Sequence, residues 1–266
     1  MPQLCRGDVQ SGTTLAVLGA AELGTAIAAG ATNGFDSSSA GVPLLAFADL
    51  ITLSAMDAAL EAQRAKRLLY VPQETLGEMA LAPFSGEVLR RPEVWGGIAG
   101  TVALGLLFSE LAEGGLSTRG FGKRPVLFGR EWNSAVGYPL ASAIGIGLFE
   151  HVAVAEESAF RGLLQSGLSR RYGETRGLVY GSLAFGLIHA SNALFLAPED
   201  RLRYLAFGVP FITLLGSYLG LVYQRDGYTL GPGIAVHFWY DFLIEATAFV
   251  LDPKNSPLAL RAQVPF

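Results

Sequence analysis

Cysteine is nearly absent: the 266 residues hold one, Cys5. A single thiol closes no intrachain disulfide, and a zinc finger built on Cys and His lacks its donors. Histidine is scarce too, with three: His151, His189 and His237. Charge is thin. Asp, Glu, Lys and Arg make up 16% of the chain, against about 25% in a soluble domain. There is no long basic run to neutralise phosphates, and the net charge is −4, so nothing argues for a nucleic-acid partner. Two hydrolase signatures are missing: the Gly-x-Ser-x-Gly nucleophile elbow and the His-Glu-x-x-His zinc helix. No repeat, low-complexity tract or interdomain linker interrupts the chain.

What is abundant is apolar sequence, 51% of residues, with a mean hydropathy of +0.39. It falls into blocks near the length a helix needs to cross the hydrocarbon core. The blocks run Thr13–Ala29, Leu44–Leu60, Val94–Leu111, Val136–Ala155, Gly177–Leu196, Tyr204–Tyr223 and Leu230–Leu251. Barrel strands would be half as long and would alternate, whereas a helix satisfies its own backbone in lipid. The expected fold is all-α, a polytopic transmembrane helical bundle of about seven spans, within a range of roughly six to eight. The first block has the length of a signal-peptide core, but Glu22 interrupts it and further spans follow, so a retained span is expected. The second block carries Asp49 and Asp57 and reads as a tilted or partly interfacial helix. The mixed-charge loop Glu61–Glu93, with Pro72 and Pro83, is expected at the surface. Lys/Arg counting leaves the orientation open.

A charge inside the bilayer costs at least about 2.5 kcal/mol, so an ionisable residue within a span is a functional hypothesis. Glu156 and Glu157 end the fourth block. Adjacent helical residues point about 100° apart, so the two carboxylates face different partners. Glu157 and Arg161, four apart, suit an ion pair, which leaves Glu156 free. Read alone, the pair is an interfacial cap. His189 is the ionisable residue of the fifth block, with Phe185 one turn earlier on the same face; alone it reads as an interhelical hydrogen bonder. His237 and Asp241 share a face of the seventh block and suit a shared water, a shared metal or a hydrogen-bonded pair. Mutual pairing of Glu, His, His and Asp around a watery cavity offsets their separate insertion costs. His151, on another face, reads as structural.

At these residues the sequence resembles the CAAX-protease and bacteriocin-processing (CPBP) family. Its three motifs in order, Glu-Glu-x-x-x-Arg, Phe-x-x-x-His and His-x-x-x-Asn/Asp, read here as Glu156-Glu157-x-x-x-Arg161, Phe185-x-x-x-His189 and His237-x-x-x-Asp241. The resemblance covers roughly Val136 to Leu251. It implies a single membrane domain made of N-terminal spans and loops (1–135), a catalytic core (136–251) and a short tail (252–266), with a cavity between spans four, five and seven. By similarity, Glu156 and His189 bind and activate water, His237 and Asp241 polarise the scissile carbonyl, and Glu157, Arg161 and Phe185 support them. Prenyl proteases of this family carry Asn at the last position, and Asp241 can donate a hydrogen bond only when protonated.

The function expected is intramembrane hydrolysis of a peptide bond near the C-terminus or a membrane-proximal segment of a protein or peptide. No cofactor is expected; zinc on Glu156, His189 and His237 is the alternative, as the family has been described in both terms. The expected partners are a membrane-associated substrate and the bilayer, in a bacterial inner membrane. The competing reading is a non-proteolytic transporter or scaffold that retains the motifs. A transporter would show matched broken helices in two halves, and Gly231-Pro232-Gly233 has no counterpart.

Overall fold

A computed structural model describes residues 1–5, 7–34, 38–113, 116–128 and 130–254. Most of the expected tail, from residue 255 on, lies outside them. The described chain is helical nearly throughout. In order it forms α1 (Pro2–Cys5), α2 (Val9–Asn33), α3 (Ser38–Ala65), α4 (Leu76–Leu81) and α5 (Pro92–Glu113). A two-stranded hairpin follows, β1 (Val126–Leu127) against β2 (Arg130–Glu131). Then come α6 (Ser134–Glu157), a π-helical stretch Ser158–Gln165 and α7 (Ser166–Tyr172). The chain continues with α8 (Glu174–His189), α9 (Pro198–Arg203), α10 (Val209–Arg225) and α11 (Gly231–Leu251).

Six helices among the described residues are long and apolar enough to cross a membrane: Val9–Thr32, Ser39–Ala65, Pro92–Glu110, Ser134–Tyr172, Pro198–Arg225 and Gly231–Leu251. The chain is an all-α, multi-pass membrane bundle. Large apolar side chains such as Val17, Leu107, Leu187 and Leu214 point outward, as a lipid-facing surface requires.

The helices depart from the sequence blocks in several places. The second block is longer than its hydropathy suggested: α3 is 28 residues long. Its Asp57 is buried and accepts from Gln3 Nε2 at 2.8 Å, so the charge that argued against a span has a partner. The fifth block, Gly177–Leu196, is cut short. α8 is a 16-residue helix that stops at His189, and Ala190–Phe195 tightens to 3₁₀ geometry. It packs chiefly on α10 and α7. The fourth block, by contrast, runs on through the π-helical stretch into α7.

The loop Glu61–Glu93 also departs from expectation. Its centre folds inward, with Val71, Pro72, Met79, Ala82 and Pro83 buried. α4 opens with a capping box, in which Thr75 and Glu78 satisfy each other's backbone N–H groups. Those bonds hold the Glu78 carboxyl below its ordinary range. Glu74 accepts from the backbone N–H groups of Leu230 and Gly231 at 2.5 and 3.1 Å, where α11 begins. Trp239 Nε1 donates to the Pro83 carbonyl at 2.9 Å, and Phe84 meets Phe238 edge-on at 5.2 Å. Polar sequence thus packs on α11 because its apolar minority shares one face and its acids cap a helix start.

Candidate active site

The motif residues come from α6 and the π-helical stretch after it, from α8 and from α11. A π-helical stretch carries an extra residue relative to α geometry and is frequent at functional sites. Here it begins one residue after Glu157 and includes Arg161. α8 and α10 lie close enough that a Cβ added to Gly216 would sit 2.8 Å from the Phe185 ring. That closeness puts Phe185 at the centre of the site. Its ring lies 4.7 Å from the His189 ring and 6.1 Å from that of His237, with the Arg161 guanidinium 4.2 Å above its centroid.

Glu156 Oε2 lies 3.9 Å from His189 Nε2 and 3.9 Å from His237 Nε2. Those separations are too long for direct hydrogen bonds. They fit one bridging water, which at about 2.8 Å from two such atoms would subtend roughly 90°. Glu156 Oε2 is buried and has no hydrogen-bond partner among the described residues. His189 Nδ1 meets the Phe185 carbonyl at 2.7 Å. A carbonyl only accepts, so Nδ1 carries the proton and Nε2 faces Glu156.

His237 is enclosed by carboxylates. Its Nδ1 bonds Glu157 Oε1 at 2.9 Å, and its Nε2 lies 3.4 Å from Asp241 Oδ2. A neutral imidazole then has its proton on Nδ1; with a second proton the ring donates from both nitrogens. Glu157 does more than the ion pair read from its spacing. Its Oε1 also takes Arg161 Nη1 at 2.9 Å, and Arg161 Nη2 reaches the Gly216 carbonyl at 3.1 Å. The side chains of Glu157 and Arg161 are 1% and 2% exposed, while Glu156 is 29% exposed, so the group opens on the Glu156 side.

All seven motif residues therefore meet in one place: Glu156, Glu157, Arg161, Phe185, His189, His237 and Asp241. His151 stands apart, its Nδ1 on the Gly147 carbonyl at 2.8 Å. Ser158 packs against Met79, and Ser191 caps Ile188. Sequence spacing missed one neighbour. Asp49 of α3 is within electrostatic range of Glu156. Its position in the short second block was the available signal.

Tetrahedral zinc ligands at about 2.0–2.1 Å from the metal lie roughly 3.3 Å from one another. The 3.9 Å separations around Glu156 are wider, and no three such side chains among the described residues are placed to hold a metal ion. The donor set present does not fit zinc in this geometry.

The fold and this cluster define a multi-pass helical membrane protein with a buried group of Glu, His, Asp and Arg side chains built between helices. Residues 138–243 match the family model for type II CAAX prenyl endopeptidase Rce1-like proteins. That stretch is similar to Rce1-like domains, in keeping with the CPBP family, and it contains all seven motif residues. No curated protein and no solved structure matches the chain.

Proposed function

We propose that this protein is an intramembrane endopeptidase that cleaves a membrane-associated protein or peptide near its C-terminus or a membrane-proximal segment, using water activated by Glu156 and His189. The observation that carries the reading is the placement of Glu156 Oε2 at 3.9 Å from the Nε2 atoms of both His189 and His237. Glu156 takes the proton of the attacking water and passes it to the leaving amine, the two proton transfers that peptide hydrolysis needs. His189 holds that water through Nε2. His237, kept in place by Glu157 through Nδ1, acts with its second proton on Nε2 and donates that N–H toward the developing oxyanion, which such a donor stabilises strongly in a low-dielectric cavity. Asp241 fixes the other side of that ring.

The 3.9 Å separations around Glu156 support a glutamic mechanism without a metal. The 33 glycines and the Ala- and Arg-rich composition suit a bacterial inner membrane. With Asp241 where prenyl proteases carry Asn, the reading favours peptide precursors or sorting segments over prenylated C-termini.

Glu156→Gln tests the reading. Membrane and secreted proteins from cells with the wild-type or the variant chain are compared for shifted termini. Loss of at least one processed terminus in the variant, with the protein still in the membrane, supports the peptidase. Identical termini in both would favour the transporter or scaffold.

A further inference from the structure

His189 ends α8 and caps the 3₁₀ run Ala190–Phe195, so its carbonyl stands where the chain leaves α geometry. Tyr204 Oη donates to that carbonyl at 3.0 Å. Asn192 Nδ2 in turn donates to Tyr204 Oη at 3.3 Å. The amide can only donate through nitrogen, so the hydroxyl proton is left for the His189 carbonyl. The result is a directed chain from Asn192 through Tyr204 to His189, and successive bonds in such a chain strengthen one another. Tyr204 also opens a π-helical turn, Tyr204–Gly208, between α9 and α10.

The ring of His189 is thereby fixed at two points. Its Nδ1 is held by the Phe185 carbonyl at 2.7 Å, and its backbone is held by Tyr204. Between them these contacts aim Nε2 at Glu156. The segment just past His189 tightens from α to 3₁₀ geometry, and Tyr204 bonds the carbonyl at that junction.

We infer that Tyr204 is a positioning residue for His189, acting through the backbone carbonyl, with Asn192 setting the direction of its hydroxyl. The role in catalysis rests on the peptidase reading above. The placement of the histidine ring does not, and that separates the two tests.

The experiment uses the full chain in lipid nanodiscs with labelled histidine rings, followed by NMR. Three histidines make assignment direct, with His189→Gln identifying one signal. Tyr204→Phe keeps the ring and removes the hydroxyl. It should shift or broaden the His189 signals and leave those of His151 unchanged. Asn192→Asp offers an acceptor in place of a donor, turns the Tyr204 proton away from His189 and should do the same. An unchanged His189 signal in both variants overturns the inference, as does equal broadening of His151, which marks general loosening. On a quenched fluorescent peptide carrying a cleavage site found with Glu156→Gln, Tyr204→Phe should lower kcat about five- to tenfold at unchanged KM, the scale of one hydrogen bond. Wild-type kcat would refute the positioning role. If Glu156→Gln abolishes no cleavage, the peptidase reading fails while the NMR result still decides the placement.

Discussion

Replacing Arg161 with methionine probes the strongest electrostatic element of the site. The guanidinium is 2% exposed and joins Glu157, the Gly216 carbonyl and the face of Phe185. Methionine fills a similar volume but restores none of these contacts. Glu157 is then a buried carboxylate whose remaining partner is His237, and orphaning one member of a buried pair costs about 3–5 kcal/mol. Loss of the cation–π contact adds about 1–2 kcal/mol. At about 2–4 °C per kcal/mol for a chain of this size, the midpoint should fall by roughly 10 °C or more. Thermal unfolding in detergent reads this directly. The double variant Glu157→Gln/Arg161→Met removes the stranded charge as well and should recover about 1–3 kcal/mol over Arg161→Met alone, the usual range of coupling between contacting residues. A wild-type midpoint for Arg161→Met, or additive losses in the double variant, would refute the reasoning.

Two further outcomes follow from the donor geometry and from the inward-folded loop. Dialysis of the purified protein against a strong chelator should leave peptide cleavage unchanged, as a Glu/His-activated water requires; loss of activity restored by zinc would show a metal centre. Glu78 is held below the ordinary carboxylate range by its bonds to Thr75. Its contribution is present above the unfolded value of about 4.3 and is lost as pH falls through the lowered folded value. The protection factors of the amides over Leu76–Leu81, corrected for the intrinsic pH dependence of exchange, should therefore fall on acidification, and Glu78→Gln should remove that dependence; identical profiles for both proteins would contradict it.

The convergence of the motif residues was legible because ionisable groups are costly in a membrane. Three helices carry ionisable groups where lipid would exclude them, and four-residue spacing alone puts His237 with Asp241 and Glu157 with Arg161. What spacing cannot show is contact between helices. Glu157 binds His237 across 80 positions, and nothing along α6 marks that. The end of α8 was illegible for a related reason. Hydropathy runs on through Ala190–Leu196, but the backbone tightens at His189, and Tyr204 fifteen residues later holds the end. The loop Glu61–Glu93 looked like surface because composition counts its charges. Its fold follows instead from a few apolar residues and from Glu74 capping α11.

The most direct test of the account is the rate at which purified Glu156→Gln protein in a bilayer cleaves a peptide that the wild type cleaves. If Glu156 is the base, kcat falls at least about 100-fold, with the melting temperature and substrate binding held. A variant that keeps the wild-type kcat would show that Glu156 is not the base.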